Sequence, residues 1–159
     1  MYNILGVTLT DTYTATRLAE LGLVAGVVYF DKNGFGYRLQ KYNTAAGTIA
    51  AVAGNFAYVY AAGGTSAGAV SEVTSDLSDS AGVGAGVLQA VIGNGEYGWL
   101  QVSGTATLTT ALTAGADGNA LTPVGSTDGT LDVSAAVTDH ICAIAIDASA
   151  KIVRLCGMI

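Results

Sequence analysis

The single histidine, His140, follows Asp139 in a chain rich in serine. Those residue types are the parts of a hydrolase: a serine nucleophile, a histidine base and a carboxylate that orients it. A serine elbow is not expected, and Gly125-Ser126 reads as the start of a turn. His140 is expected at a surface or an interface, in the approach to a strand. Two cysteines fourteen residues apart, Cys142 and Cys156, with one histidine, lack the ligand number and spacing of a zinc site. Gly82-Val-Gly-Ala-Gly86 is followed by no Lys-Ser/Thr and lacks the Gly-x-Gly-x-x-Gly spacing, so it reads as a loop entering a tightly packed strand, not a phosphate cradle. Asp117-Gly and Asp128-Gly are turn signals and do not build a calcium loop. The expectation is no enzyme, no metal and no cofactor.

Aromatic residues are the remaining candidates for chemistry. On a strand, Tyr97-Gly-Trp99 puts Tyr97 and Trp99 on one face and Leu100 and Val102 on the other. Tyr58 and Tyr60 alternate in the same way with Ala57 and Val59. The aromatic face has three readings: core, subunit interface or sugar platform, since Tyr and Trp serve all three.

These residues must be held by a chain of 159 residues, long enough for one domain with its own core. It is 51% hydrophobic but only 8% aromatic and 11% charged, with 22 glycines and one proline. This composition opposes both intrinsic disorder and a long coiled coil. Twelve acids face six Lys and Arg, and they are unevenly spread. Residues 1–41 hold Arg17, Lys32, Arg38 and Lys41 against Asp11, Glu20 and Asp31, whereas residues 42–150 hold nine acids and no Lys or Arg. Lys151 and Arg154 close the chain. An acidic body repels a phosphate backbone, so no nucleic-acid partner is expected. No apolar run reaches about 18 residues and no leader pattern opens the chain, so no membrane span or export is expected. Thiols made in a reducing compartment stay free.

The elements read as mostly β. Residues 1–13 look irregular, and Thr14–Leu21 reads as a short helix stopped by Gly22. Strands are expected at Val24–Phe30, Gly36–Tyr42, Phe56–Ala61, Ala69–Thr74, Val87–Ile92, Tyr97–Ser103, Thr105–Thr110, Asn119–Val124 and Thr130–Val133, with a final hairpin. Ala45–Ala53 has a weak helical signal. Asn33-Gly34 and Gly93-Asn94-Gly95 mark turns. Many short strands between turn signals give the fold class: all-β, a Gly-rich antiparallel sandwich or barrel, with an N-terminal arm and short helix over residues 1–23 and one β domain over 24–159.

Two further patterns bear on organisation. Ala53-Gly-Asn55 matches Asp117-Gly-Asn119, Gly68-Ala-Val70 matches Gly129-Thr-Leu131, and Leu100–Gly104 matches Val153–Gly157, in conserved order. Residues 47–104 and 111–157 therefore read as two copies of one β unit. In the final hairpin two registers compete. One places Cys142 opposite Cys156. The other places Cys142 opposite Leu155 and gathers Cys142, Ile144, Val153 and Leu155 on one apolar face with Arg154 outward. The second is expected, with both thiols buried and unbridged, because a one-residue slip reverses every side chain.

The run Val83-Gly-Ala-Gly-Val-Leu-Gln-Ala-Val-Ile-Gly-Asn-Gly-Glu-Tyr-Gly-Trp-Leu-Gln-Val-Ser-Gly-Thr-Ala106, with Leu112–Leu121 and the apolar strand before Gly157, resembles the capsid decoration, or cement, proteins of tailed bacteriophages. The resemblance covers roughly residues 48–157 and rests on pattern, above all Tyr-Gly-Trp-Leu-Gln-Val-Ser-Gly. It implies a small β-rich structural protein, made in the host cytoplasm, that binds the outer surface of the virion. It would act as an oligomer, a trimer rather than a dimer, with the major capsid protein as partner. On that expectation the less acidic segment faces the capsid, through Tyr2, Arg17, Lys32, Arg38 and Lys41, and the first 13 or so residues order on the shell as an added strand. Tyr97 and Trp99 are the expected oligomer or ligand interface. The alternative is a virion-associated or carbohydrate-binding β module that uses the same two residues.

Overall fold

A computed structural model describes residues 8–62 and 72–158. Tyr2, the Gly68–Val70 repeat segment and the first part of the strand expected at Ala69–Thr74 lie outside the described residues. The described chain is mostly β: β1 (Thr12–Tyr13), the helix α1 (Ala15–Glu20), β2 (Val28–Phe30), β3 (Gly36–Tyr42), β4 (Phe56–Tyr60), β5 (Glu72–Thr74) and β6 (Ser80–Leu88) come first. Then follow β7 (Tyr97–Gln101), β8 (Ser103–Thr107), β9 (Ala120–Thr122), β10 (Asp132–Val133), β11 (Ala143–Asp147) and β12 (Ile152–Cys156).

The first seven strands form one sheet, ordered β1-β7-β6-β4-β5-β3-β2, and an additional β7–β3 pairing closes five of them into a barrel. Closure uses one parallel pairing, Lys41 and Tyr42 of β3 against Glu72 and Val73 of β5. The last five strands form an antiparallel sheet ordered β10-β9-β11-β12-β8. Around the barrel the order is β3-β7-β6-β4-β5, and in the second sheet it is β8-β12-β11-β9-β10. Each barrel strand thus has its counterpart five strands later. The duplication extends one strand earlier than the sequence matches indicate, to β3 and β8. The copies differ in closure: the first is a barrel and the second stays open.

Three apolar clusters follow from strand alternation. Tyr42, Ala57, Val73, Ala85, Leu88 and Leu100 fill the barrel. Alanines at several of these positions suit the narrow interior of five strands. The alternate residues Phe56, Tyr58 and Val87 face outward and pack on Leu121, Ala143, Ala145, Val153 and Leu155 of the second sheet. β4 is therefore buried on both faces. On another wall Tyr37, Leu39 and Trp99 are covered by Tyr13 and Leu18.

Several expectations are corrected. Within the expected N-terminal arm, Thr12 and Tyr13 form a strand that pairs with Gly98 and Tyr97 of β7. Thr14 caps α1 through its hydroxyl, which accepts the Arg17 N–H, and lays Leu18 on the barrel wall. Gly82–Gly86 is not a loop but the middle of β6. Gly86 has φ +136, and a Cβ there would lie 2.5 Å from the Gln101 carbonyl oxygen, so the strand bends only because no side chain stands at the bend. Ala45–Ala53 forms no helix. The carboxylates of Asp79 and Asp76 accept the N–H groups of Ala46 and Gly47, and the Tyr42 hydroxyl donates to the Ile49 carbonyl, so tertiary partners replace the helical bonds.

Candidate functional site

Asp139 and His140 are neighbours in sequence but serve different groups. The Asp139 carboxylate accepts from the N–H groups of Ala135 and Ala136 at 2.8 Å each, and from the Ser134 hydroxyl. The two backbone bonds hold its pKa below the usual aspartate value. His140 Nδ1 accepts from the Gly84 N–H at 3.4 Å. Among the described residues no three His, Cys, Asp or Glu side chains gather where a metal could sit. One motif escaped the sequence reading: Gly64-Thr-Ser66-Ala-Gly68 has the Gly-x-Ser-x-Gly spacing. It lies outside the described residues. A nucleophile elbow stands between a strand and a helix, and the described chain resumes after this segment in strand β5, with α1, near the N-terminus, as the one helix among the described residues.

Tyr97 and Trp99 do share a strand face, but it is an interior one. Trp99 is 1% exposed and packs with Tyr13, Leu18, Tyr37 and Leu39. The expectation that its ring meets a sugar or a subunit is corrected, because β1 and α1 cover it. Tyr97 packs at the margin of the same cluster and is half-buried. Burial, followed by the charge of Asp11, pushes the Tyr13 hydroxyl up to about 12.

The cations of residues 1–41 are largely occupied. Lys41 pairs with Glu72 at 2.7 Å, half-buried, and each holds the other in its charged form. Arg17 pairs with Glu20 one helical turn away, on an exposed surface. Arg38 alternates with Leu39 and so points into the open end of the barrel, where it lines a cavity of about 260 Å3 with Gln40, His140 and Met158. Lys32 is exposed on the β2–β3 turn, whose Asp31 carboxylate accepts from Asn33 and Phe35 N–H groups.

The final hairpin takes the register opposite to the expected one. Ala143 faces Leu155, Ile144 faces Arg154 and Ala145 faces Val153. The core side therefore holds two alanines with Val153 and Leu155, and Ile144 and Ile146 turn the other way. Small residues win the inner positions because Phe56 and Tyr58 of the barrel already fill that space. Cys142 is buried and Cys156 exposed, which also corrects the expectation that both thiols are buried.

This slip creates a surface that the sequence reading did not find. The outer face of the second sheet presents Thr105, Thr107, Ile144, Ile146, Arg154 and Cys156 by strand alternation. Ile146 is 44% exposed. The same face also carries carboxylates: Asp147 stands opposite Ile152 and, on β10, Asp132 stands opposite Thr122. Among the described residues Arg154 has no acidic partner within ion-pair distance. Next to it, the Ser103 hydroxyl accepts the Gly36 N–H at 2.8 Å, and Phe30, 53% exposed, lies over Gly36. The face thus continues onto the β2–β3 turn that carries Lys32.

The open edges of this sheet are blunted. Leu108 N–H bonds to the Lys151 carbonyl, so Ser103 and Thr105 turn their backbone groups away from β12. The buried Gln101 amide donates to both of those carbonyls, at 3.1 and 2.9 Å. At the other edge the Asp132 carboxylate accepts the Val133 N–H, and the Leu131 carbonyl accepts from Thr113. A free strand has little left to pair with, so the face, not the edge, is the usable surface.

No protein-family model, no curated protein and no solved structure matches this chain.

Proposed function

We propose that this chain is a structural module that docks as an oligomer on the outer surface of an assembled bacteriophage capsid and stabilises the shell. Its partner is the major capsid protein, and its task needs no reaction and no cofactor. The observation that carries the reading is the outer face of the second sheet, which sets Ile144 and Ile146 beside the cationic Arg154, with Asp147 and Asp132 on the same face and blunted edges on either side. Such a face offers apolar side chains to bury and an arginine to pair across an interface. The pattern resemblance over residues 48–157 supports the same reading. Arg17, Arg38 and Lys41 are engaged within the chain, so the docking cations become Arg154 and Lys32. A small interface held at several points by an oligomer gains avidity from effective concentration.

Co-sedimentation with empty heads of the cognate capsid protein tests this. Wild-type protein is expected to pellet with heads. The double variant Ile146→Asp, Arg154→Glu is expected to bind at least about tenfold more weakly, a loss of roughly 1.4 kcal/mol or more, with an unchanged circular dichroism spectrum. Wild-type protein that stays in the supernatant, or a variant that binds undiminished, overturns the proposal.

A further inference from the structure

The edges of the second sheet are blunted, whereas the first sheet ends on β2 with no strand beyond it among the described residues. The Leu39 N–H donates to the Val27 carbonyl and the Asp31 N–H to the Phe35 carbonyl, so the odd-numbered residues of this segment bond to β3. Alternation then turns the N–H and C=O groups of Val28 and Phe30 toward the open side. Those groups have no partner among the described residues. Val24, Val27 and Phe30 stand along the same segment and are three of the nine large apolar side chains exposed among the described residues. No Lys, Pro or bulge, the usual protections of an edge, interrupts residues 27–30. We propose that β2 is a self-complementary edge at which two copies of this chain pair antiparallel, β2 against β2, to form a two-fold dimer.

The occupant is a second copy because the edge matches itself. A two-fold axis at Tyr29 sets Val28 of each copy opposite Phe30 of the other. Those are the residues with outward backbone groups, so each facing pair exchanges both of its N–H···O bonds. Tyr29 meets its symmetry mate at the axis as a non-hydrogen-bonded pair, the closer kind, on the face where it already stacks on Tyr37 with ring centroids 6.4 Å apart. Aromatic and aliphatic neighbours across such strands stabilise the pairing, and Val28 beside Phe30 supplies the second kind. Charges do not meet, since the same register sets Asp31 opposite Val27 and Lys32 opposite Gly26. An isologous edge is consumed on both copies, so assembly closes at a dimer and not at the trimer that the sequence resemblance implies. The segment is short, so the dimer is reversible. This names the contact behind the oligomer of the capsid reading, and it rests on that reading only for its use. The axis stands perpendicular to the joined sheet, so both Phe30 rings, where each docking face reaches β2, look to one side and a shell holds the dimer at two points.

The test is sedimentation equilibrium of the full-length chain under reducing conditions, over a concentration series that reaches about 1 mM, with hydrogen exchange read at single amides. Wild-type protein is expected to pass from monomer to dimer and no further, and the Val28 and Phe30 amides to exchange more slowly as the dimer fills. Val28→Pro removes an outward N–H that β3 does not use, and is expected to weaken the dimer at least about tenfold. Phe30→Lys keeps the backbone but charges the edge and is expected to weaken it likewise. Both variants should keep the wild-type circular dichroism spectrum. A wild-type chain that stays monomeric throughout or assembles as a trimer, amides of Val28 and Phe30 that exchange equally fast at both ends of the series, or a Val28→Pro dimer as tight as wild type overturns the proposal. The capsid reading is judged separately: a chain that is monomeric in solution yet pellets with heads refutes the dimer and leaves that reading standing.

Discussion

Single side chains in this protein are decided by what lies on both sides of a strand. Tyr58 is buried between the barrel and the second sheet, where its hydroxyl donates to the Thr130 carbonyl and accepts the Thr130 N–H. Tyr58→Phe leaves both backbone groups buried and unpaired and is expected to cost about 1–3 kcal/mol, measured by urea unfolding. Burial also raises the hydroxyl pKa of Tyr58 and, to about 12, of Tyr13. An unfolded tyrosine loses its proton near pH 10. The folded chain therefore holds more protons than the unfolded one above that pH, and stability falls as pH rises. The unfolding midpoint is expected to be flat up to about pH 9 and to decline from about pH 10, with a shallower decline in Tyr13→Phe.

Elements are shaped by bends and by the protection of edges. β6 follows the barrel wall because Gly86 passes the Gln101 carbonyl with no side chain between them. Gly86→Ala adds a clash to a strained φ and is expected to destabilise by about 2 kcal/mol or more. Gln101 stands where β7 turns into β8, and its amide occupies two carbonyls of an otherwise open edge. Gln101→Leu frees them while keeping an apolar stem. That variant is expected to associate with rising concentration, seen as growth in scattered light beyond that of the wild-type dimer. A Gln inside a β run reads as a surface residue in sequence. Only the corner between two sheets turns it into a cap.

At the scale of the whole molecule, two copies of one five-stranded unit share an interior. The barrel lends Phe56, Tyr58 and Val87 to the core of the second sheet, so neither copy encloses that core alone. One cooperative transition is therefore expected. Fluorescence of Trp99, which reports the barrel wall, and far-ultraviolet circular dichroism should give the same urea midpoint. Separated midpoints would show that the copies unfold independently.

Much of this was legible in the chain itself. Asn33-Gly34, Gly93-Asn94-Gly95 and the Val- and Tyr-rich runs between them set an all-β fold, because these signals act over a few residues. Thr14 and Gly22 bracket a helix for the same reason. The matched Gly-Asn and Leu segments fall on corresponding strands of the two sheets, before β4 and β9 and along β7 and β12. What the tertiary structure alone decided is which face of each strand meets the core. Trp99 is interior because an N-terminal segment that reads as an arm folds over it. Ile144 is outside because Phe56 and Tyr58 leave room only for Ala143 and Ala145. Alternation gives two faces of equal claim, and the choice between them depends on side chains brought in from far along the sequence. The same choice turned Ile144 and Ile146 onto the open face that carries Arg154. The candidate docking surface therefore belongs to the fold, not to any motif.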